Sequence, residues 1–567
     1  MKPENFLDNF EVLAEAPNGV KKLREMILEL AVRGKLVAQD KKDEPASKFL
    51  QKIEVEKEKL IKDKKIKPTN MLFPPPPLEV LYELPIGWKW TRLGTICTKL
   101  VDGSHNPPPD IGSGIPMLSS QNVLNNYINF YVSRYVSEDD YKKEFARTPI
   151  EVGDVFLTIV GTIGRSAVVP PSIPRCAIQR SIALLRSGIF PYYLSIYLRS
   201  PIAHEYFDKY GKGTAQKGIY LNKISLLDVP IPPLVEQRHI VAKVDQLMSI
   251  CDELEARQQK KRESRARINS AALDRMLTAR APGEFADGWR RISDNFEVLY
   301  DTPENVGALR QAILQLAVMG KLVEQDERDE SASSLLEKIK AEKERLIKEK
   351  KIKKDEPLPS LIESNIPHQL PSSWKWISLG ELIDYNSGQK VSPGEIPEDA
   401  WLLDLEDIEK DTSKIIQRLT AKERESKSTK ASFGKGDVLY GKLRPYLNKV
   451  VVADSDGFCT TEIVPLRIYY GISPKYLMYA LKRPDFLSYV NSKTYGVKMP
   501  RLGTNDARSA PFPLPPLAEQ HRIVARVDQL MSLCDKLEVG LLRSQADSEK
   551  LMEAVVGRML AGGGSEK

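Results

Sequence analysis

Apolar positions recur at heptad spacing in four stretches of the chain. Ile240, Val244, Leu247, Cys251 and Leu254 follow one another at 4-3-4-3 spacing, which lays an apolar stripe along one side of a helix. Ile523, Val527, Leu530, Cys534 and Leu537 repeat the pattern, and Leu541 extends it. Nearer the start, Val20, Leu23, Ile27 and Leu30 form a shorter stripe, copied by Val306, Leu309, Ile313 and Leu316. Gly34 and Gly320 follow these shorter stripes, where a helix ends most easily on a residue with positive φ. Prolines precede Leu234 and Leu517; proline can open a helix but not continue it backwards. A helix from Leu234 to about Arg280 would be roughly 70 Å long at ~1.5 Å per residue. Its stripe weakens at Gln258, Lys261 and Arg265, so a break or an exposed stretch is expected there.

The stripes belong to longer repeats. Pro230–Arg257 and Pro513–Gly540 agree at 19 of 28 positions, and Asp8–Leu36 and Asp294–Leu322 at 18 of 29. The second match runs on through EKEKLIKDKKIK against EKERLIKEKKIK, then LPIGWKW (Leu84–Trp90) against LPSSWKW (Leu370–Trp376). After the tryptophans identity fades until the Pro230 and Pro513 segments. Such repetition governs architecture before any local feature does. It divides the chain into a helical region 1–80, a globular domain 81–230, a central helical region 231–365, a second globular domain 366–513 and a final helix 514–567. The two long helices are expected to pair antiparallel as a coiled coil, stripe on stripe, giving a pseudo-twofold, almost circular plan. The EQ…VDQLM text falls within both long helices.

The divergent regions read differently. GDVFLTIVGTIGRSAVV (Gly153–Val169) and GDVLYGKLRPYLNKVVV (Gly436–Val452) carry β-branched, apolar runs broken by glycine or proline, as strands do. FPPPPL (Phe73–Leu78) reads as a stiff linker. The expected fold class is α+β, two mixed domains on a helical frame.

Composition narrows the class. At 41% apolar and 28% charged residues, the chain is ordinary for a globular protein, and no apolar run reaches the ~20 residues of a membrane span. The start lacks the basic region and apolar core of a secretory signal. Five cysteines without a CxxC pair argue against a zinc ribbon or disulfide framework; the cytoplasm is the expected location. A net charge of +7 is compatible with a polyanion partner, though weak evidence for one.

No catalytic centre emerges. HNPPPD (His105–Asp110) approaches the Asn-Pro-Pro-aromatic loop of adenine methyltransferases, but Pro109 stands where the aromatic would stack on a flipped base. No glycine-rich loop for S-adenosylmethionine accompanies it. GKGTAQKG (Gly211–Gly218) lacks the order of a phosphate-binding Walker loop. Asp404, Glu406 and Asp407 with the Glu425–Lys427 run could be forced into a nuclease pattern, yet that run is polar and solvated. No nucleophile–base pair and no metal set is expected.

Two divergent domains, each followed by P-[IL]-P-P-L-x-E-Q…I-V-A-[KR]-V-D-Q-L-M, resemble the specificity subunit of type I restriction–modification enzymes, in the longer form with a repeated N-terminal helical region. The strings GDVFLTIVGTIGR…CAIQRSIALLR and GDVLYGKLRPYLNKVVVADSDGFCTTEIVPLR look like two versions of its target recognition domain. The resemblance implies that each domain reads one half of a bipartite, asymmetric site in double-stranded DNA, while the helices set the gap. It implies two modification subunits docked on the EQ…VDQLM text of the helices, one copy on each half of a pseudo-twofold frame, and two restriction subunits outside. S-adenosylmethionine, ATP and Mg would serve those partners, this chain binding no cofactor and being non-catalytic.

Donors in expected loops supply candidate DNA contacts. In the first domain these are Ser119, Gln121, Asn122, Arg165, Gln179, Arg180, Lys212, Thr214, Lys217 and Tyr220. In the second they are Lys442, Arg444, Tyr446, Lys449, Thr460, Thr461, Lys498 and Arg501. Two readings from other classes stand beside this one: a methyltransferase or nuclease in its own right, which lacks a cofactor motif, and a protein-only coiled-coil adaptor, which would not need two large divergent domains.

Overall fold

A computed structural model describes residues 10–66, 81–131, 134–213, 217–279, 282–354, 357–359, 361, 366–425, 427–496 and 498–561. The linker Phe73–Leu78 and Thr214 lie outside these. The described residues form a mixed helix and strand fold in two compact units, 1–261 with 544–567, and 262–543.

In unit 1, α1 (Gly19–Val32) and α2 (Ala46–Lys62) lead to β1 (Lys89–Arg92), β2 (Cys97–Asp102), β3 (Val155–Thr158), β4 (Ser166–Val168) and β5 (Ile182–Ser187). Helices α3 (Pro191–Leu198) and α4 (Pro201–Tyr210), strand β6 (Asp228–Ile231) and the long helix α5 (Leu234–Thr278), whose residues from 262 on belong to unit 2, follow. The central sheet has the order β2-β5-β3-β4, all antiparallel, and β1 pairs with β6, Lys89 opposite Ile231.

Unit 2 repeats this plan. Helices α6 (Pro303–Val318) and α7 (Ala332–Lys348) precede β7 (Lys375–Ser378), β8 (Ile383–Tyr385), β9 (Val438–Gly441), β10 (Val450–Val452) and β11 (Ile463–Ile468). Helices α8 (Pro474–Leu481) and α9 (Pro484–Lys493), strand β12 (Pro511–Leu514) and the last helix α10 (Leu517–Ala561), whose residues from 544 on belong to unit 1, complete it. The sheet order β8-β11-β9-β10 matches that of unit 1, and β7 pairs with β12, Lys375 opposite Leu514. Where sequence identity fades the architecture diverges as well: a five-stranded sheet in unit 2 stands where unit 1 has a three-stranded sheet and a two-stranded hairpin.

Each short helix ends as its glycine predicts. Lys35 N–H donates to Leu30 O at 2.9 Å and Lys321 N–H to Leu316 O at 3.1 Å, the six-to-one bond of a left-handed helix stop. Gly34 and Gly320 both have φ +68°, and a Cβ on either would sit 2.4 Å from the Cγ of Pro85 or Pro371. The long helices each run unbroken for 45 residues. Instead of breaking near Lys261, α5 exposes Gln259–Glu263.

The stripes are buried. Ile240, Val244, Leu247, Cys251 and Leu254 lie in the core of unit 1 with Leu23, Ile27 and Leu30 of α1. Ile523, Val527 and Cys534, with the half-buried Leu530 and Leu537, lie in the core of unit 2 with Leu309, Ile313 and Leu316 of α6. Each stripe packs on the short repeated helix of its own unit, and each core also takes residues of the other long helix: Met552 and Met559 of α10 in unit 1, Leu273 and Met276 of α5 in unit 2. At about 1.5–3 kcal/mol per buried aliphatic side chain, this packing accounts for the helical repeat that precedes each globular domain. Arg24 clamps the α1 contact through Asp252 at 2.5 Å and Glu255 at 2.9 Å, and Arg310 clamps the α6 contact through Asp535 at 2.6 Å and Glu538 at 3.0 Å. Burial raises the Cys251 thiol to about 11, which suits a packing role.

The EQ pair also reads differently in three dimensions. Glu236 and Gln237 are buried at the start of α5, where they hold the globular domain to the helix rather than facing a partner. Trp88 Nε1–H donates to Glu236 at 2.9 Å and Gln39 Nε2–H at 3.1 Å. Gln237 accepts the Phe190 N–H that caps α3 at 2.9 Å and donates to Pro232 O at 3.0 Å. Unit 2 copies every bond. Trp374 and Gln325 donate to Glu519 at 2.9 and 2.6 Å, Ser473 N–H donates to Gln520 at 2.9 Å, and Gln520 donates to Pro515 O at 3.1 Å.

Candidate nucleic-acid interface

Five loops of unit 1 meet at the end of the central sheet where β3 stops and β5 begins. Ile159 N–H donates to Ser181 O, Gly161 N–H to Lys217 O and Ile219 N–H to Ile159 O, each at 2.9 Å, and Lys212 and Gly218 exchange two bonds of 2.8 Å. Ser104 bridges Gln179, and Ser120 N–H donates to the Ser181 hydroxyl at 3.0 Å. Backbone bonds thus tie loops far apart in sequence into one surface, which gives the side chains on it a defined geometry.

The second unit builds the same surface from different residues. Lys442 N–H donates to Glu462 O at 3.0 Å, Arg444 N–H to Pro500 O at 2.7 Å and Leu502 N–H to Lys442 O at 3.1 Å. Tyr495 and Arg501 exchange bonds of 3.1 and 3.0 Å, as Lys212 and Gly218 do. Gly161 of the first surface thus corresponds to Arg444 of the second, Lys212 to Tyr495, Gly218 to Arg501 and Ser181 to Glu462. Arg444 and Asn448 sit at φ 49° and 53°, so this loop turns through left-handed positions without glycine. One backbone frame carries two chemistries.

Most of the expected contact residues come to these surfaces. Gln121, Arg180, Lys212 and Tyr220 are exposed in unit 1, with Ser119, Arg165, Gln179 and Lys217 half-buried. Lys217 is engaged by Asp208 at 2.5 Å, which holds the Asp208 carboxyl below the usual range. In unit 2, Arg444, Tyr446, Thr461 and Lys498 are exposed, and Lys442, Thr460 and Arg501 half-buried.

Two residues are spent on structure instead. Asn122 is 7% exposed; its Oδ1 accepts the Ser119 N–H at 2.8 Å and its Nδ2 donates to Asn129 O at 3.0 Å. It closes the loop that presents Gln121. Lys449 donates to Leu405 O at 2.7 Å and links strand end to loop. Sequence reasoning passed over Tyr495, 61% exposed beside Arg501, whose signal is its alignment with Lys212 at an offset of 283 residues.

The carboxylates Asp404, Glu406 and Asp407 have a cation among them. Arg424 binds Asp404 and Glu406 at 2.9 Å and Asp407 at 2.5 Å. Among the described residues no cluster of His, Cys, Asp or Glu is placed to hold a metal ion, and no helix is long and apolar enough to cross a membrane.

Comparison with known proteins agrees with this layout. A family model described as Type I restriction modification DNA specificity domain matches residues 85–263 and 371–544, the two globular regions with the start of the helix after each. The Escherichia coli type I restriction enzyme EcoEI specificity subunit is 31% identical over 571 residues, covering 95% of this chain and 93% of that one. The EcoAI specificity subunit of the same organism is 32% identical over 567 residues with the same coverage. The solved HsdS subunit from Thermoanaerobacter tengcongensis aligns with TM-score 0.40 at 19% identity, covering 85% of this chain and 99% of that chain.

Proposed function

The chain belongs to the type I restriction–modification DNA specificity family, and from that premise we propose that its two loop surfaces each read one half of a bipartite, asymmetric site in double-stranded DNA. The observation that carries this is the pairing of one backbone frame with two sets of side chains. Hydrogen-bonding groups on a rigid frame can match base edges, while surrounding lysines and arginines neutralise phosphate. Different side chains on equal frames yield unequal half-sites.

The two long helices act in this reading as an antiparallel spacer between the readers. Readers on one DNA face would sit about one helical turn, ~34–36 Å, apart. The duplicated frame offers two equivalent docking places to two modification subunits, with two restriction subunits joining outside them. Partner subunits supply S-adenosylmethionine, ATP and Mg chemistry, and this chain contributes recognition and assembly without catalysis, in the cytoplasm.

Footprinting of the assembled complex tests the reading. Two protected segments separated by a constant unprotected gap are expected. A single protected segment, or none at any sequence, would refute it.

A further inference from the structure

Arg501 stands where unit 1 has Gly218, bridged through backbone bonds to Tyr495 and Leu443. Its guanidinium is held along one edge by Glu462. Nε–H lies 3.0 and 3.2 Å from the two carboxylate oxygens, and an Nη2–H lies 2.9 Å from Oε1. Side chains of the pair are 32% and 27% exposed, so it is open to the surface without being loose.

Guanidinium geometry decides what remains. Five N–H groups lie in one plane; the carboxylate takes the Nε/Nη2 edge, and the Nη1/Nη2 end keeps two parallel donors. In the DNA major groove, guanine presents two adjacent acceptors, N7 and O6, that match such a fork. Glu462 also neutralises Arg501, which weakens it as a phosphate partner, since phosphate binding draws on net charge. The carboxylate limits guanidinium rotation and reduces the entropy lost on contact.

Building on the DNA-reading function proposed above, we infer that Arg501, oriented by Glu462, reads a guanine in the half-site of the second unit. Unit 1 has Gly218 and Ser181 at the two positions and cannot make this contact, so the pair is one source of the site's asymmetry.

The test selects the complex of this chain with its modification subunits on DNA randomised over both half-sites, and sequences the bound molecules. Wild type is expected to return a bipartite motif with a guanine that Arg501→Ala and Arg501→Lys both relax, by about 5- to 150-fold in discrimination. Lysine keeps the charge but not the fork, and serves where alanine impairs folding. Glu462→Gln is expected to weaken the same column and no other. A motif unchanged in Arg501→Lys, or affinity falling equally for all sequences in Arg501→Ala, would overturn the inference while leaving the DNA-reading function standing. A wild-type complex returning no bipartite motif would overturn both.

Discussion

Replacing Gln237 with alanine removes the link between the helix frame and the first reader. The side chain accepts the Phe190 N–H and donates to Pro232 O, so its loss orphans one donor and one acceptor. Pro232 is buried, and an unpaired buried carbonyl costs about 1–3 kcal/mol. Phe190 is half-buried and its N–H falls near the lower end, ~1 kcal/mol. One lost methylene adds about 0.8 kcal/mol. The total is about 3–5 kcal/mol, a large part of the ~5–15 kcal/mol that holds a domain together. Gln520→Ala should cost at least as much, because Ser473 N–H and Pro515 O are both buried. Hydrogen exchange in moderate urea reads the two units separately. Gln237→Ala is expected to lower protection of α3 and β6 and leave α8 and β12 unchanged, with discrimination falling at one half-site only. A loss under about 0.5 kcal/mol, or equal loss of protection in both units, would refute the tether.

Three further outcomes follow from the same geometry. Burial raises the Glu236 and Glu519 carboxyls above the ordinary range, so their contribution is full at low pH and is lost as pH rises through the folded pKa; a double Glu236→Gln, Glu519→Gln variant should flatten that decline in urea midpoints, and an unchanged slope would refute it. Arg310, 16% exposed, should matter more to its unit than Arg24 at 29%, with alanine costing about 1 kcal/mol against a few tenths in thermal melts; a larger effect at Arg24 would reverse the ranking. Lys498→Ala, on an exposed residue of the second surface, should weaken binding evenly across sequences and reduce the salt slope by about one; a base-specific change would make it a reader instead.

Much of the frame was legible because repetition and heptad spacing are local signals. The helices from Leu234 and Leu517, the glycine stops and the strands after Gly153 and Gly436 all follow from them. The partner of a stripe is not local: Leu247 needs a helix surface, and spacing alone does not say that α1 joins residues of α10 in the core that buries it. In sequence Glu236 and Gln237 read as part of an exposed docking motif because polar residues usually face water. The clue to their burial was their recurrence together with Trp88 and Trp374, whose indole N–H groups need acceptors. Asn122 and Lys449 resembled DNA contacts by residue type, and only the loop closures of Asn129 and Leu405 show where their hydrogen bonds go.

The central claim is that each unit reads its own half-site. Its most direct test exchanges residues 81–230 for the matching domain of another family member and sequences DNA methylation in cells carrying the complete system. The account predicts one changed half-site, with the other half-site and the gap preserved. A change in both half-sites, or in neither, would contradict it.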